Sequence, residues 1–215
     1  MRKEKDFEQY LENIKKIAAE EGYDSLDETY VEHLKCRYLG QDVIIGTGVR
    51  ITQRELKNTD LEPICAFTDT NDEAVLGAFL KESQKESEAY LKTYIEHMYP
   101  MYDYGIWAVV RNSDQKLIGL CGLGNPTVDG EECIDLGYYI CPECRGLGFA
   151  TEAVELALDY AKDYLELSSI CAVIKGENKI SERVLEKFGF VLVKMREECG
   201  QKLCVYQKEL DAGNY

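Results

Sequence analysis

Apolar residues at Phe7, Leu11, Ile14 and Ala18 recur every three to four positions, with Tyr10 and Ile17 beside them. That period predicts an amphipathic helix over residues 4–21, ended by Gly22. Tyr30, Val31, Leu34 and Tyr38 repeat the pattern and predict a second helix over 27–39, closed by Gly40. Val43-Ile44-Ile45 is a short strand-like run before Gly46-Thr47-Gly48. These first 46 residues are too few to enclose a core alone. They are expected to form a helical extension, residues 1–46, ahead of a domain spanning 47–215.

Beyond Val49 the pattern changes to short apolar runs. Residues 49–56, 106–110, 116–123 and 133–141 read as strands, the second and third joined through Asn112-Ser113-Asp114. Asn58-Thr59-Asp60 offers N-caps for a helix containing Leu61, Ile64, Cys65 and Phe67. A helix starting near Ser87 carries Tyr90, Leu91, Tyr94, Ile95 and Met98 and is expected to stop at Pro100. A strong helix over 151–165, a buried-type strand over 169–174 and a helix over 179–188 follow. A final hairpin pairs 191–196 with 202–209 around Cys199-Gly200. This order predicts a mixed α/β domain of the α+β class, with a mostly antiparallel sheet.

Composition narrows the classes of function. With 45% hydrophobic and 30% charged residues among 215, the chain is globular and not disordered. No apolar run approaches the roughly 18–20 residues of a membrane span, and no apolar segment of a secretory signal follows the basic start. The net charge of −15 is spread over both parts of the chain. It disfavours nucleic acid and anionic lipid, and favours a cationic substrate or simply solubility. Nine cysteines, an odd count without an export signal, point to free thiols in a reducing cytoplasm. Cys141-Pro142-Glu143-Cys144 has metal-like spacing but no second pair, so no metal is expected.

Chemistry concentrates where the third antiparallel strand runs through Cys141 into a turn holding Gly146 and Gly148, with a long helix directly after. The first N–H groups of a helix lack internal partners and sit at the positive end of its dipole. Glycines let a phosphate approach them closely, so the segment is either an anion site or a tight strand–helix connection. The turn is not a P-loop, since no Lys-Ser or Lys-Thr follows Gly148, and Thr151 replaces the third glycine of a dinucleotide fingerprint.

Arg145-Gly146-Leu147-Gly148-Phe149-Ala150 resembles the R/Q-x-x-G-x-G/A acetyl-coenzyme A signature of the GNAT superfamily of N-acetyltransferases. Asn178-Lys-Ile-Ser181, followed by Glu186-Lys187-Phe188-Gly189-Phe190, is similar to a second block of its RimJ/RimL-like branch. Arg54-Glu55-Leu56, the Trp107 strand and Leu117-Ile118-Gly119 are weaker matches. The likeness covers about residues 47–210, with the two main blocks in family order.

The resemblance implies a GNAT fold with splayed central strands and acetyl-CoA as co-substrate. Backbone N–H groups of Gly146, Leu147, Gly148, Phe149 and Ala150 would hold the pyrophosphate, with Thr151 adding a hydroxyl and Arg145 helping electrostatically or bracing the turn. Tyr139, Ile140 and Cys141 would pair with the pantetheine, the N–H of Ile140 polarising the thioester carbonyl, and Asn178 would bond the pantetheine arm. Many members place a tyrosine acid seven residues after that Asn; here the position is Leu185, so Ser181 is the substitute donor. Asp135 is the implied general base, with Glu131 and Glu132 as alternatives.

The acceptor implied is a primary amine, either a protein N-terminus or a small cationic amine. It would enter between residues 59–100 and the terminal hairpin, near Tyr90, Tyr94, Tyr99, Tyr102 and Tyr104. A CoA-binding sensor or an interaction scaffold without turnover is the alternative, and a homodimer is left open. His33 and His97 read as ordinary helix residues, and no histidine stands where it could activate a cysteine nucleophile.

Overall fold

The computed structural model describes residues 2–67, 75, 79–125, 127–128, 131–198 and 200–210. Within it the chain forms two compact units, residues 1–44 and 45–215. The first is a pair of helices, α1 (Arg2–Glu20) and α2 (Glu28–Leu39). Asp27 caps α2 by accepting from the N–H groups of Thr29 and Tyr30, and Gly40 closes it at φ 71°. Phe7, Tyr10 and Tyr38 pack their rings together between the two helices.

The second unit is built on an eight-stranded sheet. Its strands are β1 (Ile44–Thr47), β2 (Ile51–Arg54), β3 (Ile106–Arg111), β4 (Lys116–Gly124), β7 (Asp135–Ile140), β8 (Ser169–Lys175), β9 (Val191–Glu198) and β10 (Gln201–Glu209). They lie in the order β1-β2-β3-β4-β7-β8-β10-β9, and β5 (Thr127–Val128) with β6 (Glu131–Glu132) forms a separate ladder. The helices are α3 (Leu61–Ala66), α4 (Gln84–Tyr102), α5 (Phe149–Asp159) and α6 (Lys179–Lys187). Trp107, Tyr99, Phe79, Leu91, Leu120 and Leu185 are among the fully buried core residues.

Several elements depart from the sequence pattern. Pro100 does not end α4, which continues to Tyr102. A proline there removes one bond near the helix end, but buried Tyr99 holds the last turn in place. Its hydroxyl donates to the Ile106 carbonyl and accepts from Leu56 N–H, and Asp103 closes the helix in the left-handed region at φ 53°. The carboxylate of Asp60 does not cap α3. It takes a two-bond ion pair from Arg54 and the N–H of Lys57. The strand expected over 133–141 is shorter, Asp135–Ile140, and the helix expected from Thr151 already begins at Phe149. That helix ends in a wider turn, Tyr160–Tyr164, with Leu165 N–H reaching back to Tyr160. Cys199 lies outside the described residues.

One ladder sets up the rest. β7 stays paired with β4 from Asp135 to Ile140, and β8 stays paired with β10 along its whole length. Between β7 and β8, which run parallel, the described ladder is the single pair Asp135↔Cys171. The two central strands therefore start together and diverge, leaving a wedge that opens toward Ile140 and Lys175.

Candidate active site

Backbone alternation decides which groups of β7 face that wedge. Cys141 N–H donates to Ile118 of the β4 side, and Ile134 carbonyl accepts from Cys171 of the β8 side. Odd residues of β7 thus turn their N–H and C=O toward β4, and even residues turn theirs toward β8. The backbone groups of Tyr138 and Ile140 face the wedge past the point where pairing stops. This corrects the expected edge: Tyr139 turns its backbone groups to β4 and bonds Phe67 carbonyl through its hydroxyl, while Cys141 gives its N–H to Ile118 and its carbonyl accepts from Cys144 N–H.

The mouth of the wedge carries the glycine turn. Gly146 and Gly148 adopt φ 72° and 83°, a region that side chains disfavour, and Gly148 is the N-cap of α5 without a side-chain cap bond. Thr151, Ala150 and Phe149 occupy the first turn of α5, whose N–H groups point out of the helix end. Arg145 braces this turn, its Nε donating to Ile140 carbonyl at 2.9 Å with the guanidinium 5.2 Å from the Tyr139 ring centre. Leu147, between the two glycines, is exposed.

Across the mouth, Asn178 stands three residues past the end of β8, its N–H bonded to Lys175 carbonyl. Its Oδ1 caps α6 by accepting from Ser181 N–H at 3.1 Å, so that oxygen has a structural task. Ser181 is half-buried in the first turn of α6, whereas Leu185 is fully buried in the core.

Asp135 sits at the closed end of the wedge. Gly124 lies opposite it on β4, and a Cβ there would come within 2.8 Å of Asp135 Oδ1, so the carboxylate occupies space the glycine leaves. Burial pushes its pKa from 3.8 up to about 6. Cys171 and Cys133 flank this end with sulfurs 2.7 Å apart. The side chains of Glu131 and Glu132 lie outside the described residues.

Asp135 and Ile140 cannot serve one reacting centre as the sequence pattern suggested. Five residues of strand span roughly 17 Å, beyond the reach of an aspartate side chain. Tyr138 is the N–H nearest Asp135 that faces the wedge beyond the last β7–β8 pair.

Neither Cys141 nor Cys144, beside the glycine turn, is set as a nucleophile. Burial, with neighbouring Cys144, pushes the Cys141 thiol up to about 12, and Cys144 accepts from Arg111. The eight cysteines among the described residues are free thiols. Of the expected acceptor aromatics, Tyr94 and Tyr99 are structural, Tyr94 accepting from Ile106 N–H at 2.7 Å. Tyr90, Tyr102 and Tyr104 remain at least partly exposed. The sequence reading missed Arg50, whose guanidinium bonds Leu147 carbonyl and Glu152 beside the glycine turn.

A diverging parallel pair that feeds a two-glycine turn at a helix N-terminus leaves a slot whose mouth favours an anion. The chain belongs to the GNAT acetyltransferase family, its residues 50–191 matching the Acetyltransferase (GNAT) domain. It is 30% identical over 143 residues to an uncharacterized N-acetyltransferase, YoaA, of Bacillus subtilis, covering 66% of this chain and 79% of that one. Across three curated relatives the aligned part spans 63%, 79% and 48% of their lengths. Among solved structures, the ribosomal-protein-S5-alanine acetyltransferase of Vibrio fischeri is 19% identical at a TM-score of 0.63, covering 79% of this chain and 98% of that one. The spermidine/spermine N-acetyltransferase SpeG of Vibrio cholerae is 22% identical at 0.60, covering 76% and 95%. At these identities the two structures show likeness of fold. Among the described residues no helix is long and apolar enough to cross a membrane.

Proposed function

We propose that the protein is a RimJ/RimL-like N-acetyltransferase that moves an acetyl group directly from acetyl-CoA to a primary amine. The observation that carries this reading is the wedge between β7 and β8, open at the glycine turn, where the described ladder between the two strands is the single pair Asp135↔Cys171. Its residues fit acetyl-CoA: the unpartnered N–H groups of residues 149–151 suit a diphosphate, and the strand edge suits the amides of the pantetheine arm. The open backbone at Gly148 leaves room that a side chain would fill.

On this reading Ile140 N–H holds the arm near the mouth, and Tyr138 N–H, two residues deeper, stabilises the oxyanion as the amine adds to the thioester carbonyl. Asp135, raised to about 6, accepts the proton released from nitrogen, directly or through a water. As the carbon–sulfur bond breaks, the Ser181 hydroxyl returns a proton to the CoA sulfur and recovers it from solvent. Asn178, with Oδ1 occupied, offers its amide nitrogen to the arm. The acceptor is a protein N-terminal amine or a small cationic amine, either one favoured by the acidic surface. A cytoplasmic site of action agrees with the free thiols.

Thermal unfolding with and without acetyl-CoA tests the reading, with adenosine 3′,5′-bisphosphate as control. Ligand at about 100 times its Kd should add about 2.7 kcal/mol, and acetylated amine products should then be detectable by mass spectrometry. No shift at millimolar acetyl-CoA leaves the scaffold alternative, whereas a shift without acetylated product leaves the CoA-binding sensor.

A further inference from the structure

Glu152 poses an electrostatic problem for any phosphate at this turn. Its carboxylate lies in the first turn of α5, with a side chain 13% exposed, beside the N–H groups that would receive the diphosphate. The protein as a whole carries −15. An anionic ligand therefore approaches an acidic molecule at a point where a further carboxylate already stands.

Arg50 answers this charge at close range. Its backbone N–H donates to Glu152 Oε1 at 2.7 Å and its Nε to Oε2 at 2.8 Å, so both carboxylate oxygens are engaged by one residue. Nη1 donates to Leu147 carbonyl at 2.7 Å, between the two left-handed glycines. Because a peptide is planar, pinning that carbonyl also fixes the direction of Gly148 N–H. The guanidinium lies 4.9 Å from the Phe149 ring centre, and a Cβ on Gly148 would stand 3.3 Å from Nη2. One cation thus neutralises Glu152 and orients the turn, with its Nη2 beside Gly148.

The clasp is held from behind. Arg50 lies in the turn from β1 to β2, where Gly48 N–H bonds Ile51 carbonyl. Asn112 braces the same turn: its backbone N–H bonds Arg50 carbonyl, and its side chain bonds the carbonyls of Gly48 and Val49. A Cβ on Gly48 would come within 2.5 Å of Glu152 Oε1, so a side chain there would push on the clasp.

We propose that Arg50 is a positioning residue for the cofactor diphosphate, screening Glu152 and locking the Leu147–Gly148 peptide so that the α5 N-terminus can accept an anion. The inference rests on the reading of this turn as the acetyl-CoA site. It makes Arg50 act on the phosphate end of the ligand and not on the acetyl end.

The test compares wild type, Arg50→Ala, Arg50→Lys, Glu152→Gln and the double variant Arg50→Ala/Glu152→Gln. Each is measured for acetyl-CoA affinity, for kcat and KM with acetyl-CoA, and for kcat/KM with S-acetylpantetheine, which lacks the diphosphate. Loss of a charge-assisted clasp should weaken acetyl-CoA about tenfold or more in Arg50→Ala, raising KM with kcat within about threefold. Activity on S-acetylpantetheine should stay within about twofold of wild type, since the phosphate interaction is absent from that substrate. Adding Glu152→Gln should recover about threefold of the lost affinity, because the carboxylate left without Arg50 is then gone. Arg50→Lys, which keeps the charge without the planar fork, should fall between wild type and Arg50→Ala.

Equal loss on both thioesters, or a double variant weaker than Arg50→Ala, would show a purely structural brace and overturn the proposal. If Arg50→Ala does not fold, Arg50→Lys with full acetyl-CoA affinity overturns it as well. Failure of the wild type itself to bind acetyl-CoA defeats the proposed function, whereas binding that ignores Arg50 defeats this inference alone.

Discussion

Replacing Asp135 by Asn should make the protein slower and more stable at once. Burial raises this carboxyl from 3.8 to about 6, so holding it ionised at neutral pH costs stability. A shift of roughly two units corresponds to about 3 kcal/mol at most. The asparagine amide must itself be desolvated, so a net gain of about 1–2 kcal/mol is the expectation. For a domain of this size that is roughly 2–8 °C in melting temperature.

The sign follows from linkage. A group whose pKa is higher in the folded state favours folding below its unfolded pKa, and that contribution is lost as pH rises through the folded value. The melting-temperature gap between Asp135→Asn and wild type should therefore open between about pH 4 and 6 and stay constant above about pH 7. Catalysis runs the other way. Loss of a general base should lower kcat/KM by about 10²–10⁴-fold. The wild-type profile should fall on the acid side of about pH 6, and the variant should lack that limb. Thermal melts from pH 4 to 8, beside acetyl transfer followed by mass spectrometry, read both effects. A variant that melts lower at pH 7.5, or that keeps activity within a few-fold, refutes the assignment of Asp135 as a buried base.

Two further substitutions separate the roles of neighbouring residues. Ser181→Ala should lower kcat with little change in KM or melting temperature, since only its backbone N–H is used by the cap, while Asn178→Ala should cost about 1 kcal/mol of stability by removing that cap. At the turn, Gly148→Ala should cost about 1–2 kcal/mol and weaken acetyl-CoA, because its φ of 83° penalises any Cβ and Arg50 lies against it. Gly146→Ala carries a similar backbone penalty with open space around it, so it should spare affinity more; equal losses in isothermal titration would contradict that difference.

What the sequence disclosed was whatever is local. The periods of α1 and α2 and the glycines at 40, 146 and 148 are short-range statements, and each appears in the structure where the residues put it. The carry of α4 past Pro100 was not legible. It depends on the hydroxyl of Tyr99 finding Leu56, 43 residues away in the chain. The wedge-facing groups of β7 were half legible: a strand was evident, but its parity is set by a bond to Ile118 that no period in 133–141 reveals. Arg50 was invisible for the same reason, as its partner Glu152 lies 102 residues later and nothing near Val49 marks it as more than a turn residue.

The missing tyrosine at position 185 becomes intelligible from the same geometry. Leu185 faces the core with no exposed surface, so this position is given over to packing α6. The other end of α6 is the one turned to the mouth, with Asn178 bonded to the last residue of β8 and Ser181 in its first turn. A helix N-terminus favours negative charge, which lowers the proton affinity of a thiolate formed beside it. On the proposed reading, a leaving thiolate stabilised in that way needs only a weak, well-placed donor, and the Ser181 hydroxyl in the first turn of α6 would meet that need where Leu185 in the second turn cannot. On that reading the helix end and the hydroxyl would share the task that the family resemblance gives to a single phenol.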